Sequence, residues 1–338
     1  MELGIYTFGD LTKDPVTGRS VSPQVRMDQM MEMARLADQA GLDVMGVGEH
    51  HGAGFVDSAP AAMIAAMAAV TKRLRLTSAS TSIGTADPVR VFQDYATADL
   101  IAHGRIELVL GRGAFTENFP LFGNDLGDYD AVFSEKVQLL LKLNSRDRVT
   151  WSGRFRPALR DAEIAPRPAQ ASLPLWIGAG SPASVARAAA WGLPLTIPVL
   201  GGLLDRYGEL AARFREAWDQ AGHAAGQGRV AHFGHLHLTA PGRSLDDFFP
   251  YYSSYLAPLF RGPMPREAYG QMLSPQGSLV AGDPGQVVDK ILVQQRVLGS
   301  SRFVGQIDIG GQPFGAVLAA IERFASEVAP AVRKATRP

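Results

Sequence analysis

The chain of 338 residues contains no cysteine. That excludes disulfides, thiolate nucleophiles, and zinc or iron–sulfur sites built on sulfur ligands. It also lacks an excess of either charge, with 33 basic residues against 33 acidic ones. A balanced surface exerts no general pull on nucleic acid or anionic lipid. No apolar run reaches the ~18 residues needed to span a bilayer. The richest stretch, Ala59 to Val70, is a short series of mostly alanine and methionine at helical spacing. The start, MELGIYTFGD, has no basic region followed by an apolar stretch, so no secretory signal is expected. Together these absences imply a soluble, cytoplasmic protein with neither a nucleic acid nor a membrane as partner.

What is present is core material and turns. Hydrophobic residues make up 46% and charged residues 20%, which suits a large buried core and argues against disorder. The 36 glycines and 22 prolines are spread along the chain, as a fold with many turns and no long linker requires. The length fits two domains or one large barrel.

Short β-branched and apolar runs alternate with helical patterns. Eight strands are predicted, over 2–7, 42–47, 74–83, 105–110, 175–178, 195–199, 230–238 and 303–309. Ser22-Pro23, Asp87-Pro88 and Asp283-Pro284 each place a capping side chain before a proline at the first helical position. Met27, Met30, Met31 and Ala34 follow the first of these, and Gly41 stops that helix. Met63, Ala66, Met67 and Val70 are expected to share the buried face of the helix after Ser58. Eight strands alternating with helices predict a single (β/α)8 barrel domain over residues 1–338. The rival, a doubly wound open sheet, lacks its G-x-G-x-x-G after the first strand. Val149–Phe155 reads as a small hairpin across Ser152-Gly153, inserted after strand four. Arg243 to Gly277 forms a long excursion after strand seven, above the strand ends, as either a lid or one helix with a packed loop.

In a barrel, chemistry sits at the C-terminal ends of the strands. Strand two ends in Glu49-His50-His51, three ionisable groups able to bind a metal or move a proton. Strand three leads through Ala79-Ser80-Thr81, small residues that let a flat ligand approach the backbone. Strand four ends in Gly111-Arg112-Gly113, where the guanidinium offers a fork to a phosphate or carboxylate. Strand five ends in Gly178-Ala179-Gly180-Ser181-Pro182 with Ser184 beyond, a glycine turn feeding a helix N-terminus that favours an anion. Strands four and five are neighbours, so Arg112, Gly180, Ser181 and Ser184 converge as a phosphate site. A metallohydrolase would draw on His50, His51 and Glu49 with His232, His235 and His237 of strand seven. However, His232 and His235 alternate with apolar residues in mid-strand, so no metal site is expected. No G-x-S-x-G is present for nucleophilic hydrolysis.

These segments together resemble the bacterial luciferase-like family of flavin-dependent monooxygenases. GVGEHH followed by GFVDSAP is similar to that family's E-H-H segment. TADPVRVFQDYATADLIAHGRIELVLGRG is similar to its most recognisable signature, and IGAGSPASVARAAAWGLP and DPGQVVDKIL continue the match in order. The resemblance implies reduced FMN as co-substrate, with its phosphate at Arg112, Gly180, Ser181 and Ser184. It also implies the flavin ring over Ala79, Ser80 and Thr81, where the family often has a non-proline cis peptide. His50 matches the family's active-site histidine and Glu49 its neighbouring carboxylate. His50, at an ordinary pKa near ~6.5, could then act as base or stabilise charge. Gln93 departs from a glutamate common in the family, and Gly180 from an acidic residue of luciferase itself. The implied reaction uses reduced FMN and oxygen to oxygenate a small organic substrate. A separate flavin reductase is the expected partner, and a homodimer paired through the helix after Ser58 the expected assembly. The alternatives are a deazaflavin-dependent oxidoreductase and a non-catalytic flavin-binding protein on the same fold.

Overall fold

The computed structural model describes residues 1–113, 118–224 and 226–337. Its strands in chain order are β1 (Glu2–Thr7), β2 (Val44–Val47), β3 (Arg75–Ser78), β4 (Thr81–Ser82), β5 (Ile106–Gly111), β6 (Arg148–Trp151) and β7 (Leu159–Glu163). They continue with β8 (Leu175–Gly178), β9 (Leu195–Val199), β10 (Val230–Leu238), β11 (Val280–Gly282) and β12 (Arg302–Gln306). Parallel pairing runs β1-β2-β3-β5-β8-β9-β10-β12 and back to β1, so the sheet closes into an eight-stranded barrel. Helices occupy the connections, giving the (β/α)8 architecture expected from the alternation. The short β4 extends the wall beside β5, and β11 pairs with the far end of β10.

Alternation along each strand sorts side chains between two cores. Leu3 and Ile5 of β1 face the helices and pack with Met30, Met33 and Ala34. Tyr6 faces the barrel axis with Val44, Val109, Trp176, Ala231, Phe233 and Val304. Gly4 is required by this crowding, because a Cβ there would lie 2.1 Å from the Val44 carbonyl oxygen. At the N-terminal end of the barrel, buried Glu107 accepts from Arg302 (2.7 and 3.2 Å), Arg75 (2.9 Å) and Trp176 (2.9 Å). The Arg302 guanidinium holds the Glu107 carboxyl below its ordinary range despite burial. This network fastens the N-terminal end of the barrel.

Helix signals read from the sequence are present as capping contacts. Ser22 and Asp87 accept backbone N–H groups, Asp283 forms a capping box with Gln286, and Gly41 ends its helix at φ +81°. Several details differ from the sequence reading. The run 74–83 is not one strand, because a cis peptide between Ala79 and Ser80 separates β3 from β4. Helix Pro60–Val70 buries Met63, Ile64, Met67 and Ala68, leaving Ala66 and Val70 exposed. Its apolar residues surround it, so spacing could not select the face. The hairpin pairs β6 with β7 across 152–158, so its return strand begins at Leu159 rather than near Ser152-Gly153. The excursion after β10 is two helices, Phe249–Phe260 and Arg266–Leu273, with a small core of Phe248, Tyr252, Leu256, Met264, Tyr269 and Met272.

Candidate active site

The C-terminal end of β2 carries the three ionisable residues singled out from the sequence. Glu49 pairs with His51 rather than His50: its Oε1 lies 3.0 Å from His51 Nε2, and its Oε2 accepts the Ser82 N–H at 2.9 Å. His50 is buried between Phe8 and Phe55, with ring centroids 4.6 and 4.1 Å away. Burial, with His51 alongside, lowers its pKa to about 4. The ordinary value expected from sequence is therefore corrected: His50 is neutral at physiological pH, because the aromatic sandwich removes the water that would solvate an imidazolium. Burial raises Glu49 as well. Asp57 was not singled out; it is 1% exposed, its backbone carbonyl accepts the His50 N–H at 2.9 Å, and burial with Glu49 nearby raises it to about 8.

Ala79 and Ser80, joined by the cis bond, lie on the wall next to this group. Ala79 belongs to the axial cluster of the barrel. Thr81 turns its hydroxyl to Tyr95, Oγ1 and OH being 2.6 Å apart, and it is buried. The Thr81 hydroxyl is thus engaged by Tyr95. Gly111 is needed here, since a Cβ would sit 2.1 Å from Ser80 Oγ.

Strands β5 and β8 are adjacent, so the segments that follow them, with Arg112 on one and Gly180, Ser181 and Ser184 on the other, leave the barrel side by side. Ser181 caps helix Pro182–Ala190, accepting the Ser184 N–H at 3.4 Å, and its hydroxyl lies 2.9 Å from that of Ser184. Among the described residues, a Cβ at Gly180 would approach only Pro198, at 3.8 Å. Arg112 packs over the Tyr129 ring at 5.0 Å and donates to Asp130 Oδ1 at 2.9 Å. Arg187, on the helix that Ser181 caps, donates to the same Oδ1 at 2.8 Å. Asp130 and Arg187 were missed from sequence, although Ser181, Ser184 and Arg187 recur every three residues along one helix side.

Strand β10 and the helix Phe249–Phe260 form the opposite wall. Tyr252 OH lies 2.7 Å from His235 Nδ1, and Tyr255 exchanges hydrogen bonds with buried Gln306 at 3.0 and 3.1 Å. Burial lowers His235 to about 3. His237 stacks on Phe248 at 3.9 Å, while His232 faces Phe303 in the outer core. The three β10 histidines therefore serve separate contacts, and among the described residues no group of three His, Asp or Glu side chains converges as a metal would need. Behind β1, Thr7 donates to Asp308 at 2.5 Å, Arg26 pairs with Asp308, and burial beside Asp308 raises Asp10 to about 6. Asp10 bridges to Phe55, tying this buried charge group to the segment that covers His50. Among the described residues no helix is long and apolar enough to cross a membrane.

Comparison with known proteins agrees with this geometry. The family model described as luciferase-like monooxygenase matches residues 1–301. A Sinorhizobium fredii protein, y4vJ, is 25% identical over 90% of this chain and 91% of its own. The 4-hydroxyprotoasukamycin monooxygenase of Streptomyces nodosus is 30% identical over 59% of this chain and 55% of its own. An F420-dependent glucose-6-phosphate dehydrogenase of Amycolatopsis mediterranei is 32% identical over 45% and 48%. The chain thus spans about half the length of the latter two. Among solved structures, monooxygenase RslO1 of Streptomyces bottropensis has a TM-score of 0.86 at 21% identity, covering 98% of this chain and 99% of its own. The oxygenating constituent of 3,6-diketocamphane monooxygenase from Pseudomonas putida, solved with FMN, has a TM-score of 0.81 at 18% identity over 98% of both. These two likenesses establish the barrel, and the family match extends it to lineage: the chain belongs to the luciferase-like monooxygenase family.

Proposed function

We propose that this protein is an FMN-dependent monooxygenase that takes reduced flavin from a separate reductase and oxygenates a small organic substrate. Two observations support the reading: Arg112 and Arg187 meet at Asp130 Oδ1, and the Ser181 and Ser184 hydroxyls pair on the segment after β8, the neighbour of β5. Two guanidiniums against one carboxylate leave net positive charge beside hydroxyl donors, the donor set that a flavin phosphate requires. The turn at Gly180 and the small residues Ala79 and Ser80 would provide space for the remainder of the cofactor.

When bound, reduced FMN would supply the electrons and the reaction with oxygen. The chain's own residues bind, orient and exclude water. Arg112, Ser181 and Ser184 would hold the phosphate, and Ala79, Ser80 and Thr81 would support the ring. Neutral His50, held by Phe8 and Phe55, offers an imidazole that hydrogen-bonds without introducing a charge next to the reacting centre. Glu49 fixes His51 and the Ser82 N–H, which keeps the chain after the cis bond in place. The two helices of the excursion, joined to the barrel through Tyr252–His235 and Tyr255–Gln306, would carry side chains that select substrate.

A deazaflavin reading draws support from the relative named as F420-dependent, and parallel titration with FMN and F420 separates the two. We place the protein in the cytoplasm as a homodimer. Helix Pro60–Val70, with Ala62, Ala66, Ala69 and Val70 exposed, is the proposed pairing face, and light scattering at micromolar concentration tests it. A species near 36.2 kDa, the mass of one chain, would count against the dimer.

A further inference from the structure

We propose that Arg187 is a second guanidinium of the flavin-phosphate site and that Asp130 competes with the phosphate for Arg112 and Arg187. The proposal rests on the FMN reading above and specifies how that site is tuned. Both arginines donate to one oxygen, Asp130 Oδ1, at 2.9 and 2.8 Å. Two cations converging on a single anionic oxygen form the arrangement a phosphate oxygen would enter. The arginines come from different elements, the segment after β5 and the helix Pro182–Ala190 that Ser181 caps, and Asp130 joins the two. Arg187 also has spare capacity: its Nε, shielded from solvent, has no acceptor among the described residues.

Asp130 is built to let go. Its side chain is 62% exposed, against 27% for Arg112 and 26% for Arg187, so the carboxylate can rehydrate while the guanidiniums stay in place. Arg112 is further steadied over Tyr129, and Arg187 lies over Phe133 at 6.0 Å. Asp130 sits in the first turn of helix Tyr129–Ser145, where the helix dipole favours a negative charge whether or not the arginines remain bound to it. The arginines hold its carboxyl below the ordinary range, so it is ionised throughout the neutral range and opposes an arriving phosphate.

The test is equilibrium binding of FMN and riboflavin to the full chain and its variants. Asp130→Asn keeps the shape and removes the charge, and Asp130→Ala checks that any effect is not due to the amide. Each exposed ion pair removed is modest, so FMN affinity should rise about 2- to 30-fold while riboflavin affinity stays unchanged. Arg187→Ala should weaken FMN and leave riboflavin alone. FMN affinity that is unchanged or lower in both Asp130 variants overturns the proposal, because Asp130 would then only position the arginines. Equal loss of both ligands in Arg187→Ala overturns it as well. Should the wild-type chain bind riboflavin as tightly as FMN, the phosphate site itself fails. Wild-type preference for FMN with no gain in the Asp130 variants overturns this proposal while leaving the FMN reading standing.

Discussion

Replacing Arg112 with alanine isolates the phosphate contact from everything else the cofactor touches. The guanidinium sits at the end of β5 beside the Ser181–Ser184 turn and is 27% exposed, so its charge is partly screened. A hydrogen bond to a charged group contributes about 1.5–3 kcal/mol, but releasing the exposed pair with Asp130 offsets about 0.5 kcal/mol of it. The remaining ~1–2.5 kcal/mol corresponds to FMN binding weakened about 5- to 70-fold. Flavin fluorescence titration of wild-type protein and Arg112→Ala measures this directly, with riboflavin as the control that lacks the phosphate. Riboflavin affinity should be unchanged, since among the described residues the Arg112 side chain contacts Asp130 and Tyr129. Equal losses for FMN and riboflavin would refute the reasoning, because the arginine would then be supporting the fold of the mouth rather than an anion.

Other perturbations follow from the same geometry. His50→Ala should leave FMN affinity near wild type and depress turnover; a large loss of affinity in the same titration would place His50 in binding instead. Glu107→Ala should cost about 3–5 kcal/mol in urea unfolding, because it leaves Arg302 buried without its main partner; a loss below about 1 kcal/mol, the scale of a surface pair, would contradict that. Asp57, raised to about 8 in the folded protein, holds a proton that the unfolded chain releases near pH ~4. Its contribution to stability is complete below that pH and is lost as pH rises toward 8. Asp57→Asn should therefore gain on wild type across this window, and a gap that narrows with rising pH would contradict the assignment. Tyr252→Phe removes the partner of buried His235 Nδ1 and should cost about 1–3 kcal/mol in the same unfolding assay; no measurable cost would mean another group takes its place.

The barrel was legible because its signals are local. Strand and helix periods, the Asp87 and Asp283 caps that each precede a proline and the glycine stop at Gly41 each report backbone geometry within a few residues. The strand-end residues were legible for the same reason, since a barrel assigns chemistry to one end of every strand. Partnership was less legible, being a property of distance rather than sequence. Nothing near Arg112 in sequence indicates that Asp130 and Arg187 meet it, and nothing in Glu49-His50-His51 indicates that Glu49 pairs with His51. Protonation was hidden in the same way. The pKa of His50 depends on Phe8, which arrives from β1, and on Phe55, which is held by its bridge to Asp10. The split of 74–83 into two strands follows the cis peptide at Ala79-Ser80, which the family resemblance implies and strand periodicity alone does not show.

The central claim is tested most directly by anaerobic titration of the purified full chain with reduced FMN and, separately, with reduced F420. Saturable binding of reduced FMN, weaker binding of reduced riboflavin and little binding of reduced F420 is the predicted result. Saturable binding of reduced F420 with none of reduced FMN would contradict the account and assign the chain to the deazaflavin branch of its family.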